Sequence, residues 1–585
     1  MKLREASALK QGEGAFNLSN YEEVSKQFSW DTIHPQFSWH RTNKVNMAYE
    51  CIDRHVEDGY GVKIALIYMN GHFKETHTFS NLKKKTDEWG YLLKSQGVKK
   101  GDRVFVFLPK HPDCYIAVLA AIKIGAIVGP LFEAFMEEAI FDRMYDCEAS
   151  VLITNEELLQ RVPVSKLPHL QSIYITDNIE HPIAKSIPKL VEEVSVNGEI
   201  VEWVDLNDGM IIHYTSGSTG KPKGVLHAHR VMIQQYQTGQ WVLDLKEDDV
   251  YWCTAHPGWV TGSSYGIFAP WLNRATIVVH GGRFDAKEWF EVLERTGVTV
   301  WYSAPTAFRL LMDKSDLIPD YSFSLRHILS VGEPLNPEVI TWGVEKLNLQ
   351  IHDTWWMTET GAQLIVNLPS AKIKPGSMGR PIPGIKAAII DEEGNTVHPN
   401  ELGLLAIKKG WPSMMKEIWK NEEKYHSYFV GDWYISGDLA YMDEEGYVFF
   451  QGRNDDMINS SGERIGPFEV ESKLIEHQAV LEAAVIGKPD RVRGEIVKAF
   501  IVLAEGYEET EELKKEIQTF VRNKLSAHAM PREIEILREL PKTQISGKIL
   551  RRALREDKDV DRGTDTVDGG TGPSSTQKLE NGSWR

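Results

Sequence analysis

Short runs of β-branched and aromatic residues recur along the chain, each bounded by turn residues: "RVFVFL" (103–108), "SVLIT" (150–154), "QSIYIT" (171–176), "ATIVVH" (275–280), "VTVWYSAP" (298–305) and "LRHILSVG" (325–332). Apolar runs of this length and makeup predict buried strands. Between several of them lie segments with apolar residues every three to four positions, such as Leu82 to Gln96, which predict helices with one apolar face. The alternation predicts an α/β architecture with largely parallel sheets. The most apolar stretch, "CYIAVLAAIKIGAIVGPLF" (Cys114–Phe132), is interrupted by Lys123, two glycines and Pro130. That pattern predicts a buried helix running into a buried strand, not a membrane span.

The texture changes after "EGYVFFQGR" (445–453), at the polar segment "NDDMINSSGERIG" (454–466). Beyond it come a helix opened by Pro467, strands "LEAAVIGK" and "IVKAFIVLAE", and a helix from Thr510. In that last helix Leu513, Ile517, Phe520, Val521 and Leu525 form one stripe, with Glu511 and Glu512 in the first turn. The reading is a large domain over 1–454 and a small α/β domain over 455–555. Residues 556–585 are rich in Gly, Ser, Thr and Asp and predict a disordered tail.

Composition narrows this further. A chain of 585 residues exceeds what one core usually supports, so at least two domains are expected. The formal net charge of -17 excludes a general nucleic-acid or anionic-membrane binder, which needs a basic footprint. The 4 cysteines form no CxxC pair, so neither a zinc site nor a disulfide framework is indicated and a reducing cytoplasmic setting is expected. The N-terminal segment has no apolar core or small-residue cleavage site of a signal peptide.

The segment "YTSGSTGKPKG" (214–224) has the glycines of a phosphate loop. A Walker loop needs GxxxxGK[ST], whereas Pro222 follows Lys221 and Thr215 stands at the first glycine position. What remains is a run of glycines and hydroxyls, Thr215, Ser216, Gly217, Ser218, Thr219 and Gly220, followed by Lys223, suited to clamping a polyphosphate chain. "GSSYG" (262–266) fits the GxSxG pattern of serine hydrolases with Ser264 as nucleophile. That elbow needs a strand before and a helix after, but Ala269-Pro270 follows, so the hydrolase is the weaker reading.

Downstream stand "SVGEPLNPE" (330–338), "IHDTWWMTETG" (351–361), "YISGDLAYMDEEGYVFFQGRNDDMINSSGERIGP" (434–467) and "LPKTQISGKILRR" (540–552). In this order and at these separations the segments resemble the core motifs of the adenylate-forming superfamily. With "GPLFEAFMEEA" and "YWCTAHPGWVTG", the likeness within it is to the bacterial acetyl-CoA synthetases. The resemblance implies a large adenylate-forming domain with a small mobile one rotating about Asp455. It implies joining of acetate to the α-phosphate of ATP, with Mg2+, and then displacement of AMP by the thiol of coenzyme A.

Residue by residue, Lys548 matches the lysine that reaches the site for adenylation, Arg464 an arginine near the phosphates, and Thr358 and Glu359 the pair at the α-phosphate and magnesium. Asp438 matches the carboxylate for the ribose hydroxyls and Arg453 its companion; Gly332, Glu333 and Pro334, with Asp353, Thr354, Trp355, Trp356 and Met357, match the segments flanking adenine. Val260, Thr261, Val331 and Trp356 match a very small acid pocket, in which a large ring at Trp356 closes the channel. Thr261, Ser461 and Gly462 match positions beside the thiol tunnel, and Ile475, His477 and Val480 a loop that holds a structural magnesium in some relatives. Lys548 is the expected target of a lysine acetyltransferase and deacetylase, since acetylation deletes the charge.

The chain departs from that pattern in three places. His256 stands where related acetate enzymes carry Asp, "PKTQISGK" has two residues between PKT and SGK in place of one, and Arg161 alone answers to a pair of arginines near the coenzyme A nucleotide. Propionate is the expected weaker second substrate. An adenylation module feeding a carrier protein is the rival within the class, and no carrier serine motif follows the small domain.

Overall fold

The helix expected over Leu82–Gln96 spans Phe79–Ser95 in the computed structural model. It starts there because Thr78 closes a capping box with Asn81, each side chain accepting the other's backbone N–H at 3.1 Å. Its buried face carries Phe79, Leu82, Trp89, Leu92 and Leu93. The structure describes residues 16–193, 195–216, 222–454, 456–460, 463–491, 493–542, 549 and 551–556. Gly217, Ser218, Thr219, Gly220, Asp455, Ser461, Gly462, Lys548 and the tail from 557 lie outside the described residues.

Two large sheets carry most of the chain up to residue 381. One is 8-stranded and centres on the parallel strands Ile127–Pro130, Arg103–Phe107, Val151–Thr154 and Ser172–Ile175. The hairpin Gly209–Ser216 with Pro222–Ala228 joins its other side. The other is 9-stranded, with Ile64–Asn70, Thr276–His280, Val250–Cys253, Val300–Ser303, His327–Val331 and Ile351–Trp355 side by side and parallel. The strands expected from sequence are those of these sheets, and their interiors are buried because helices cover both faces. A 5-stranded antiparallel sheet follows, built around Trp433–Met442 and its partners Gly403–Lys408 and Val448–Arg453.

The stretch 114–132 is a helix, Pro112–Lys123, turning at Gly125 (φ +75°) into the strand Ile127–Pro130. Lys123, which breaks the apolar run in sequence, is wholly buried. Its ammonium lies 2.8 Å from Asp53 and 2.8 Å from Asp87 and donates to Thr86 at 2.8 Å.

From Ile458 the chain builds a separate core of Ile458, Val470, Leu474, Val485, Ile501, Ile517 and Val521. The strands Val480–Asp490 and Gly494–Leu503 pair antiparallel, and the helix Glu511–Lys524 is capped by Thr510, whose hydroxyl accepts the Leu513 N–H at 3.1 Å. Lys123→Met keeps the side-chain length but leaves Asp53 buried with a weakened partner set. Removing one member of a buried ion pair costs roughly 3–5 kcal/mol, so the thermal midpoint of this variant is expected to fall by several degrees; an unchanged midpoint refutes the role given to the pair.

Candidate active site

The carboxyl ends of parallel strands are where α/β sheets bind ligands, because the loops diverge there and leave a crevice. In this chain a cavity of about 880 Å3 opens beyond Val331 and Trp355, the last residues of two adjacent parallel strands, and is roofed by the antiparallel sheet and the small domain. Among its walls are Thr215, Lys223, Val260, Thr261, Val331 to Pro334, Asp353 to Glu359, Asp438 and Arg453. The structure therefore brings into one cavity nearly all the described residues singled out from sequence. Gly332 adopts φ +90°, a left-handed conformation that suits glycine and turns the chain from the strand into Glu333 and Pro334.

At one pole Asp438 is held from two sides. Trp355 Nε1 donates to its Oδ2 at 2.8 Å and Arg453 Nη1 to its Oδ1 at 3.0 Å, while its own N–H donates to Ser436 Oγ at 3.0 Å. Strand pairing sets Asp438 opposite Arg453, which is why the two meet. Gly437 at φ +79° makes room, since a Cβ there would sit 2.9 Å from the Arg453 guanidinium. Nearby, Glu333 accepts from the Thr306 hydroxyl at 2.8 Å and from Arg309 Nη2 at 3.0 Å.

At the other pole Trp356 is locked by a chain of hydrogen bonds. Its Nε1 and Gln363 Nε2 both donate to the Tyr302 hydroxyl, at 3.2 and 3.1 Å. Thr354 Oγ1 donates to the Ser330 carbonyl at 2.7 Å, so Tyr302 passes its own proton to Thr354 Oγ1 at 2.7 Å. Tyr265 meets the indole edge to face, ring centroids 5.0 Å apart. Val260 and Thr261 face this end from the helical turn Val260–Ser263, where Gly262 packs so closely on His256 that a Cβ would lie 2.0 Å from its carbonyl oxygen.

The third region joins Thr215, Lys223 and Glu359. Register pairs Thr215 with Lys223, and Lys223 Nζ lies 3.2 Å from Glu359, whose carboxylate also accepts from Tyr428 OH at 3.1 Å. The Thr215 hydroxyl is buried with no hydrogen-bond partner among the described residues. His227 donates through Nε2 to the Thr358 carbonyl at 2.7 Å, and burial pushes its pKa down to about 4, so it is neutral at pH 7.

The small domain supplies Glu471, Ile475, Glu482, Lys542, Ile549 and Arg551 to the same cavity. Lys542 and Ile549 form an antiparallel bridge, so both ends of the segment carrying Lys548 sit at the cavity wall. Arg551 Nη2 donates to both Glu471 oxygens at 2.7 and 2.8 Å. Across the domains Asn336 Nδ2 donates to Ser472 Oγ at 3.2 Å. Arg464 is in the short strand Glu463–Ile465.

Other candidates are engaged elsewhere. His477 accepts the Ala479 N–H on Nδ1 at 3.3 Å and faces Glu516 at 3.5 Å. Its carbonyl accepts the Val480 N–H at 2.9 Å. His256 is buried, accepts the Gly258 N–H on Nδ1 at 2.9 Å and bonds the Leu108 carbonyl through Nε2 at 3.0 Å. Burial lowers its pKa to about 3, so this departure from the resembled pattern is a neutral structural imidazole. Arg161 donates to the Glu133 carbonyl at 3.0 Å and pairs with Glu157.

Ser264 lies within a helical segment, donates to the Gly361 carbonyl at 3.2 Å and accepts from Gln235 at 3.0 Å. No base meets it among the described residues, and the hydrolase reading is overturned. Sequence reasoning passed over Arg309, Lys424, Tyr428, Tyr302 and Gln363. Their one sequence-level signal is a polar group near a strand end or on a short helix, which is too common to single out.

A strand-end cavity of this lining under a second, small domain is the architecture of an adenylate-forming enzyme. The chain belongs to the AMP-binding enzyme family, which matches residues 53–419, and the AMP-binding enzyme C-terminal domain matches 469–548. Within that class it belongs with the acetyl-coenzyme A synthetases. It is 59% identical over 554 residues to the acetyl-coenzyme A synthetase of Bacillus subtilis (strain 168), covering 94% of this chain and 96% of that protein. It is 40% identical to that of Rubrobacter xylanophilus, covering 93% and 89%. Among solved structures, the anthranilate CoA ligase AuaEII in complex with anthranoyl-AMP is similar with a TM-score of 0.81 at 30% identity, over 88% of this chain and 97% of that one. A Brucella canis acyl-CoA synthetase gives 0.73 at 35%, over 92% and 98%.

Asp353 lines the cavity with its carboxyl buried, and burial raises its pKa to about 7 against the opposing Thr354 N–H, which it accepts at 2.9 Å. The folded chain thus keeps a proton that the unfolded chain releases from about pH 4 upward. The stability this gives is full below that pH and is lost as pH rises through about 7. Asp353→Asn is expected to flatten the fall of thermal midpoint between pH 5 and pH 8; equal slopes in parent and variant contradict it.

Proposed function

We propose that the chain ligates acetate to coenzyme A in two steps, through acetyl-adenylate and with release of pyrophosphate and then AMP. The observation that carries the acetate reading is Trp356, whose indole is fixed by Tyr302 and Tyr265 across the acid end beside Val260, Thr261 and Val331. A ring so held leaves space for a methyl group and blocks a longer tail. One added methylene is usually worth about 1–3 kcal/mol, so propionate is a weaker second substrate.

Asp438 accepts the ribose hydroxyls, steadied by Trp355 and Arg453. Gly332 to Pro334 and Asp353 to Met357 flank adenine. Residues 215–220 and Lys223 clamp the β- and γ-phosphates, while Thr358, Arg464 and Lys548 face the α-phosphate, where fixed cations stabilise charge in the in-line displacement. The buried Glu359 carboxylate is the hard oxygen donor that suits Mg2+, which supplies charge neutralisation when bound. The small domain, 455–555, turns about Asp455 relative to 1–454, withdrawing Lys548 and bringing Ser461 and Gly462 toward Thr261 and the thiol. Bonding of Arg551 to Glu471, at the cavity wall, supports a small domain that moves as one body. Acetylation of Lys548 by a lysine acetyltransferase, reversed by a deacetylase, silences the first step. The 4 cysteines, all free thiols and buried, support a cytoplasmic setting. No helix among the described residues is long and apolar enough to cross a membrane.

A panel of carboxylic acids assayed for AMP and acyl-CoA release tests the substrate. Acetate is expected to lead, with propionate second, and a panel led by a longer acid refutes the reading. Trp356→Gly is expected to admit longer acids, and an unchanged chain-length profile removes Trp356 from the pocket. Lys548→Ala is expected to abolish adenylation yet form acetyl-CoA from supplied acetyl-adenylate; equal loss of both half-reactions contradicts the turning domain.

A further inference from the structure

Among the described residues, the region of Lys223 and Glu359 holds a positive charge with no carboxylate partner, and it comes from outside every motif. Lys223 stands 3.2 Å from Glu359, so its ammonium is already matched by a carboxylate. Lys424, on the short helix Glu422–His426, lines the same cavity with Ser427 and Tyr428. Among the described residues no carboxylate comes within ion-pair distance of its ammonium. Its neighbour there is the Tyr428 ring, whose centroid is 5.2 Å from Nζ, while Lys223 lies 4.6 Å from the same ring. Tyr428 is itself anchored by donating to Glu359. On that helix His426 faces Glu422 at 3.5 Å on the exposed side, and Glu423 is exposed.

We infer that Lys424 is a further substrate-binding cation, contacting the β- and γ-phosphates of ATP and the pyrophosphate that leaves. This rests on the adenylating reading. In that step an acetate oxygen forms a bond to the α-phosphorus, the bond from that phosphorus to the β-bridging oxygen breaks, and the electron pair departs on pyrophosphate. No proton is transferred; Lys424 answers the growing negative charge with a fixed positive one. Tyr428 couples the two lysines, since its ring faces both and its hydroxyl holds Glu359.

The test is acetate-dependent exchange of pyrophosphate into ATP, with Lys424→Ala and Lys424→Arg beside the parent. Lys424→Ala is expected to lower kcat/KM for ATP by about tenfold to a hundredfold, the span of a hydrogen bond to a charged group. Inhibition by added pyrophosphate should weaken with it, and Lys424→Arg should recover most of both. An unchanged ATP dependence overturns the proposal. So does an equal loss in thioester formation from supplied acetyl-adenylate, which marks a packing role. Equilibrium binding of ATP, measured with no acid present, separates this from the substrate assignment. A parent that binds ATP without activating acetate refutes acetate, and the Lys424 proposal then stands or falls on the ratio of ATP affinities between parent and Lys424→Ala.

Discussion

The hydrogen bonds from Trp355 to Asp438 and from Trp356 to the Tyr302 hydroxyl tie one strand end to two poles of the cavity. A buried indole N–H without a partner is costly, so each ring is free to settle only where its acceptor stands. Those acceptors belong to different parts of the fold. Asp438 comes from the antiparallel sheet and Tyr302 from the second strand over in the parallel one. The spacing between Asp438 and the Trp356 indole thus follows from how two sheets pack, with adjacent residues as the ruler.

Electrostatics divides the remaining volume. Lys223, Glu359 and Tyr428 make a mutually satisfied set in the third region of the cavity, while Lys424 leaves that set positive. On the small-domain side Arg551 is matched by Glu471, and Lys542 by Glu482 at 2.6 Å. The small-domain cations at the cavity wall are thus matched within their own domain, whereas Lys424 on the large domain has no carboxylate partner among the described residues. The Asn336–Ser472 contact across them is a single neutral hydrogen bond, weak enough to be exchanged.

Much of the fold was legible in the chain, for reasons that differ between elements. The strands near 103, 151, 276, 300 and 327 are largely apolar and buried because parallel sheets are covered on both faces, and such a run reads without knowing its neighbours. Lys123 read as a break in an apolar stretch; it is buried because Asp53 and Asp87, distant in sequence, arrive to meet it. Ser264 carried a hydrolase pattern that vanishes once its hydroxyl is seen bonded to Gly361 and Gln235. Lys424, Tyr428 and Arg309 were invisible, since a lone lysine, tyrosine or arginine on a helix or in a loop is ordinarily a solvated surface group.

The sequence by itself determined the class of the protein and the residue types at the cavity, because the glycine and hydroxyl run after Tyr214, the carboxylate Asp438 and the indoles of Trp355 and Trp356 each lie in short motifs whose order is written in the chain. Only the tertiary structure decided which hydrogen bonds fix Trp356, that His256 is a neutral structural group, and that Lys424 shares the Tyr428 ring with Lys223 at the cavity wall. Those depend on groups brought together from strands and helices far apart in the chain, and on the low polarity of the space they enclose, which no local pattern of residues encodes.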